Sequence, residues 1–175
     1  MKSLEFLTAT VLASRSLDQN LNHGTVVLWA DLLLAQGQDC SEVKNLICVD
    51  ASSSKAQVEK LVDDCLTRLG LSLVDEKLAH LLWVWAWSQR LLKAETTADE
   101  FLENMRKLCV DFEHEPVYMQ FYLLHCSRKN LSKTGAIIFH DREVNENNFE
   151  QVLRWEIDLF LEQHEETISK LIRRD

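Results

Sequence analysis

The sequence predicts an all-α fold, a single helical domain over residues 1–175 with seven to eight helices and a long C-terminal helix. One Pro and four Gly in 175 residues are too few for the many turns of a β-sandwich or barrel. Apolar residues instead recur at helical spacing along most of the chain. Because 46% of the residues are hydrophobic and 27% are charged, the chain can bury a core of its own.

The first half of the chain carries apolar residues on one face of successive helical segments. Ser54 is placed to cap the most regular of these segments, and Gly70 is placed to end it. The predicted helices in this half cover residues 3–15, 25–36, 41–49 and 55–69.

The second half begins with the most apolar helix. Apolar residues surround it on all sides, which predicts a central helix covered by its neighbours. Asp75 is placed to cap this helix, and Thr97 and Glu100 form a capping box for the next one. The predicted helices in this half cover residues 76–94, 98–110, 116–129 and 147–172.

One segment, residues 135–140, has strand character. It is short, and the sequence offers no second strand beside it. We therefore predict an irregular extended piece rather than a sheet.

A weak internal similarity leaves open whether helical hairpins are stacked. Residues 28–35 precede 46–50 much as residues 86–93 precede 107–111, with offsets of 58 and 61 residues. A duplicated hairpin would stack as in a short solenoid. Chance similarity between amphipathic helices explains the pattern about as well.

The charge balance limits the classes of partner. The chain has 19 Lys and Arg against 28 Asp and Glu, a net charge of −9. Direct binding to nucleic acid or to an anionic membrane surface is disfavoured, because both need clustered cations. The most apolar stretch, residues 78–92, is too short to span about 30 Å of hydrocarbon.

The cysteines and the N-terminal segment predict a cytoplasmic protein. Five Cys without close spacing do not form a disulfide framework and suit a reducing compartment. Glu5 interrupts the apolar N-terminal segment, and Arg15 lies where a signal peptide needs small residues.

Motifs for catalysis or cofactor binding are scarce. The sequence has no Cys-x-x-Cys, no His-Glu-x-x-His and no glycine-rich phosphate loop. We therefore predict no metal, no cofactor and no enzymatic activity. A hydrolase stays open as an alternative, because Asp111, Glu113 and His114 share a predicted loop and could act as acid and base.

The last helix has the most unbalanced charge in the chain. Residues 141–166 contain nine acids and two Arg, a net charge of −7. A helical projection places Trp155 on the polar face among Asp158, Glu162 and Glu166. A Trp ringed by carboxylates is typical of an interface anchor for a basic partner. In the alternative interpretation, Trp155 covers a loop or a neighbouring helix of its own fold.

The segment from Leu82 to Leu123 combines a Trp-rich helix, WVWAW, with the turn DFEHEP at residues 111–116 and an aromatic stretch after it. It resembles a family of small, largely uncharacterised bacterial proteins, some of which look like immunity proteins of polymorphic toxin or contact-dependent inhibition systems. That family has a similar Trp helix and an Asp-Phe-Asp-Tyr-Pro turn. Here the turn is one residue longer and has His114 in place of the aromatic residue.

The resemblance implies an immunity protein that neutralises a cognate toxin domain, in which case no catalytic residue is needed. A nuclease toxin would have a basic cleft that an acidic helix face can occlude. We predict that Trp155, Asp158, Glu162 and Glu166 bind this partner. A non-enzymatic helical adaptor or regulator that binds a basic protein is the alternative, and the oligomeric state stays open.

Overall fold

The structure is a computed structural model that describes residues 3–140 and 142–172. These residues form eight helices and one two-stranded sheet, which confirms the predicted all-α class and the long final helix. None of these helices is both long enough and apolar enough to cross a bilayer. The elements in chain order are α1 (Leu4–Ser16), α2 (His23–Ala35), α3 (Ser41–Ile47), α4 (Lys55–Arg68), α5 (Glu76–Leu92), α6 (Ala98–Asp111), α7 (Pro116–Thr134), β1 (Ala136–Phe139), β2 (Arg142–Asn145) and α8 (Phe149–Ile172).

The contacts of the chain cluster into two compact units. The first unit comprises Met1–Ala86 and Thr167–Asp175, and the second comprises Trp87–Glu166. Elements that follow one another in sequence pack together. In the first unit α1 packs on α2, α2 on α3 and α3 on α4, and in the second unit α6 packs on α7 and α7 on β1. The boundaries between the units fall inside α5 and α8, and the single domain over residues 1–175 stays a prediction.

A buried hydrogen bond and an ion pair join the helices of the first unit. The fully buried Trp29 donates from Nε1 to Oγ1 of Thr8 over 3.1 Å, which ties α2 to α1 inside the core. Arg15 donates to both carboxylate oxygens of Asp63, over 2.9 and 2.8 Å. Such a bidentate pair fixes orientation as well as distance, so it aligns α1 with α4.

Helix α5 is covered in the way that its sequence predicts. The N–H of Leu78 donates to Oδ1 of Asp75 over 2.9 Å, which confirms the predicted cap. Every residue from Leu78 to Leu92 is buried or half-buried, so the helix is covered on all sides. It ends two residues earlier than predicted, because the chain turns at Ala94 with a φ of 54°.

Aromatic edge contacts build the core of the second unit. The rings of Phe101 in α6 and Phe121 in α7 meet edge to face, with their centroids 5.2 Å apart. Phe121 also contacts Phe160 of α8 at a centroid distance of 6.5 Å. The predicted capping box is confirmed, since Thr97 and Glu100 each accept a hydrogen bond from the other's backbone N–H.

The segment after α7 forms a β-hairpin, so the prediction of an isolated extended piece is wrong. Strands β1 and β2 pair antiparallel, with Ile137 opposite Val144. The second strand has no clear sequence signal, because its sequence, REVN, is largely polar and only Val144 is buried. After the hairpin, the N–H of Val152 donates to the carbonyl of Asn148, and α8 begins at Phe149 rather than at residue 147.

Candidate partner-binding surface

Four residues form an exposed series on α8, which we call the acidic row: Trp155, Asp158, Glu162 and Glu166. All four are exposed, as the helical projection predicts. Their spacing of three or four residues places them one after another along one face of the helix. Partner binding by these residues stays a prediction.

An arginine of the hairpin covers one face of Trp155. The guanidinium carbon of Arg142 lies 3.7 Å from the centroid of the Trp155 ring. This is the geometry of a cation–π interaction, worth about 0.5–1 kcal/mol at an exposed site. Trp155 nevertheless keeps 37% of its surface exposed. The ring therefore contacts its own fold on one face and offers its remaining surface to solvent.

Negative charge dominates the solvent side of α8 within the second unit. Arg154 pairs with the row on the helix itself, and its Nε lies 3.6 Å from Oδ1 of Asp158 with both side chains more than half exposed. Such an exposed pair holds its partners only weakly. Glu162 forms no salt bridge with any residue that the structure describes. The exposed carboxylates between residues 149 and 166 are those of Glu150, Asp158, Glu162, Glu165 and Glu166.

Glu156 lies on the same helix but does not belong to its surface. Its residue is only 2% exposed, and its Oε1 has no hydrogen-bond partner among residues 3–140 and 142–172. Burial raises the pKa of this carboxyl, while the charges of His140 and Arg142 act in the opposite direction. The nine acids counted in the sequence therefore overstate the exposed negative charge.

The loop between α6 and α7 does not enclose the three residues of the hydrolase hypothesis. Asp111, Glu113 and His114 are all exposed. Glu113 and His114 both adopt positive φ angles, 49° and 68°, where the chain reverses. The His114 ring meets the Tyr122 ring edge-on, with a centroid distance of 6.1 Å. The three side chains of the hydrolase hypothesis are therefore solvated rather than held in a desolvated site.

Metal-binding chemistry has no geometric basis in the described part of the chain. No group of three or more His, Cys, Asp or Glu side chains there is arranged to hold a metal ion. None of the five cysteines forms a disulfide. The acidic row is thus the surface whose chemistry is most distinctive.

A groove of about 560 Å³ lies beside the acidic row, within the second unit. Its walls are the end of α5, the α5–α6 connection and the first turns of α8. The lining residues come from two segments, 91–98 and 150–157, which are more than 50 positions apart in the sequence. Local sequence patterns carry no signal for such a feature. Its large apolar lining residues are Leu91, Leu92, Leu153 and Ile157.

Comparisons with known proteins do not assign the chain to a family. No protein-family model, curated protein or solved structure matches it significantly. The resemblance of residues 82–123 to immunity proteins therefore gains no support from these comparisons. A functional proposal has to rest on the acidic row and its surroundings.

Proposed function

We propose that this chain is an immunity protein that binds a basic toxin domain through the acidic row and occludes the toxin's active cleft. The observation that carries the proposal is the half-covered Trp155 ring at one end of three exposed carboxylates. An aromatic anchor next to a concentrated charge is a common arrangement at tight protein interfaces.

The proposal follows from what a nuclease cleft must do. A nuclease holds phosphates with Lys and Arg, so its cleft attracts other regularly spaced anions. Asp158, Glu162 and Glu166 follow one another at intervals of four residues, about 6 Å along the helix axis. Their field accelerates encounter with a cationic cleft. Trp155 then contributes the apolar contact that slows dissociation.

The preorganisation of Trp155 supports the same function. A free Trp side chain loses rotamer freedom when a partner immobilises it, and that loss weakens binding. Because Arg142 already packs on one ring face, part of this ordering is complete before the partner arrives. The acidic row requires no bound cofactor or catalytic group for inhibition by occlusion.

The decisive experiment combines partner capture with a test of toxicity. The tagged chain is expressed in its native host and purified at low salt and at about 0.5 M salt, where exposed charge pairs are screened. We expect a stoichiometric basic partner that arrests growth when expressed alone and is neutralised by co-expression of this chain. A captured partner without toxicity would instead favour the adaptor alternative.

A pair of charge-matched variants locates the interface. We expect Asp158→Lys combined with Glu162→Lys to slow association about 10-fold or more at low salt and to abolish protection. The control is Asp31→Lys combined with Asp64→Lys, which changes the net charge equally at exposed acids of α2 and α4. Equal loss in both double variants would mean that net charge, and not the acidic row, governs binding.

A further inference from the structure

We propose that the groove beside the acidic row receives a large apolar side chain of the same basic partner, flanked by a partner Lys or Arg that pairs with Glu150. This inference rests on the proposed function and extends its interface from the outer face of α8 to the adjoining concave surface. The occupant is a segment that carries an apolar residue next to a cation.

The size and lining of the groove fit an apolar side chain. Its volume of about 560 Å³ lies in the range of about 300–1,000 Å³ that is typical of binding pockets. Leu91 and Leu92 on the α5 side are half-buried and supply the accessible apolar surface, whereas Leu153 and Ile157 on the α8 side are already buried behind it. Burial of an apolar side chain here contributes stabilisation in proportion to the apolar area removed from water.

The charges around the groove select a cationic neighbour for that side chain. Glu150 lines the groove and is exposed, and it forms no salt bridge within the part of the chain described here. Arg154 also lines the groove, but its guanidinium is directed to Asp158, 3.6 Å away. A partner cation beside Glu150 therefore meets an available carboxylate.

The groove and the acidic row form one continuous surface. Arg154 lines the groove and contacts Asp158, which belongs to the row. A partner that covers the row therefore extends over the groove without a gap. Hot-spot pockets of protein interfaces usually have this arrangement, with an apolar centre and a polar rim.

The wall opposite α8 is held in place by the turn after α5. Ala94 adopts a left-handed φ of 54°, and the N–H of Glu95 donates to the carbonyl of Arg90 over 2.8 Å. This hydrogen-bond pattern closes the end of a helix and restricts its connection. The groove is therefore formed before binding, and little ordering is needed when a side chain enters.

Two synthetic peptides test the inference directly. Both are acetylated and amidated, one with the sequence Lys-Leu-Lys-Leu-Lys and the other with Lys-Ser-Lys-Ser-Lys, so they differ in apolar content and not in charge. Methyl NMR spectra of the full chain follow the resonances of Leu91 and Leu92, the half-buried apolar residues of the groove. We expect saturable chemical-shift changes of these methyl groups with the Leu peptide and no such changes with the Ser peptide.

Two variants show whether the groove itself is responsible. Ala98 lines the groove, so Ala98→Phe fills it and removes the shifts. The control Ala56→Phe places the same side chain at an exposed position in the first turn of α4 and leaves them unchanged. Glu150→Lys keeps the shape of the groove, and we expect it to weaken binding of the Leu peptide about threefold or more. The control Asp64→Lys makes the same charge change outside the groove and should leave that binding unchanged.

The outcomes separate this inference from the proposed function. If the Leu peptide leaves the groove methyl groups unshifted, or if Ala98→Phe retains the shifts, the groove inference is wrong, and a toxic partner captured through the acidic row still supports the proposed function. If the groove shifts occur but no toxic partner is captured, the proposed function fails, and the groove stands as a site for basic apolar segments.

Discussion

The guanidinium of Arg142 packs on one face of the Trp155 ring, 3.7 Å from its centroid, and thereby connects the hairpin to α8. The hairpin is itself anchored by the buried side chains of Phe139 and Val144. The orientation of the most exposed Trp in the chain is therefore set by a strand that precedes its helix. This relationship gives the hairpin a role in shaping the candidate interface.

Removal of Arg142 should expose Trp155. We expect Arg142→Ala to raise the quenching of Trp fluorescence by acrylamide, because Trp155 is the exposed one among the five Trp residues. The lost cation–π contact should cost about 0.5–1 kcal/mol of stability. Arg142→Lys serves as the control that keeps the positive charge and should give an intermediate result. Identical quenching in Arg142→Ala and in the unaltered chain would contradict the packing described here.

The buried carboxyl of Glu156 should make stability depend on pH. Its pKa is raised above the ordinary value of 4.5 by burial, so the folded state binds its proton more tightly than the unfolded state does. Stability should therefore fall as the pH rises from about 4.5 through the raised pKa. We expect Glu156→Gln to abolish this decline and to stabilise the chain by about 1 kcal/mol or more at neutral pH.

Urea unfolding at several pH values measures this effect. The control is Glu150→Gln on the same helix, whose carboxyl is exposed and whose replacement should change little. If the unaltered chain and Glu156→Gln show the same pH dependence, the Glu156 side chain is solvated rather than buried.

The ion pair of Glu103 should produce the opposite pH dependence. Arg106 donates to both of its carboxylate oxygens, over 3.0 and 2.7 Å, and lowers the pKa of Glu103 to about 2. The stabilisation by this ion pair is complete above about pH 4.5 and disappears as the pH falls towards about 2. Because the Glu103 side chain is 37% exposed, solvent screening limits the cost of Glu103→Gln to about 0.5–1 kcal/mol at neutral pH.

Thermal unfolding from neutral pH to about pH 2 measures the difference in stability between Glu103→Gln and the unaltered chain. We expect the two melting curves to converge at the acidic end. Glu146→Gln, which replaces an exposed acid after β2, provides a comparison without this pattern. A gap that persists at about pH 2 would point to altered packing rather than to the ion pair.

The hydrogen bond between Thr8 and Trp29 should be important for the first unit. Thr8→Val keeps the shape of the side chain but leaves the buried Nε1–H of Trp29 without its acceptor. An unsatisfied buried donor costs about 1–3 kcal/mol, which urea unfolding resolves. The same substitution at Thr67, which is exposed on α4, should cost much less. Comparable losses at both positions would show that the buried hydrogen bond contributes little.

Most of the helical fold could be predicted from the sequence because helix formation leaves a local signal. The caps at Asp75 and Thr97 and the apolar periodicity of α4 depend on residues within a few positions of one another. The second strand of the hairpin gave no such signal, since the burial of Val144 depends on packing and not on an alternating pattern. The acidic row was predictable for the same reason as the helices, because α8 has one buried and one exposed side.

The surroundings of the acidic row were less predictable. The packing of Arg142 on Trp155 and the groove beside α8 both join segments that are separated in sequence, so no local sequence pattern predicts them. The burial of Glu156 does have a local sequence signal. A projection of α8 with 100° per residue places it 20° from Phe149, next to the buried side of the helix, where an acid is expected to be desolvated.

The pairing of elements with their neighbours in sequence has a consequence for how the chain acquires its structure. Helices α1 to α4 pack in chain order, and so do α6 and α7 and the two strands of the hairpin. Contacts between neighbouring elements close only short loops, which lowers the entropic cost of forming them early in folding. The N-terminal helices can thus pair while the remainder is still being synthesised at about 5–20 residues per second. For the immunity function proposed above, this order means that folding of the N-terminal helices does not wait for the end of synthesis.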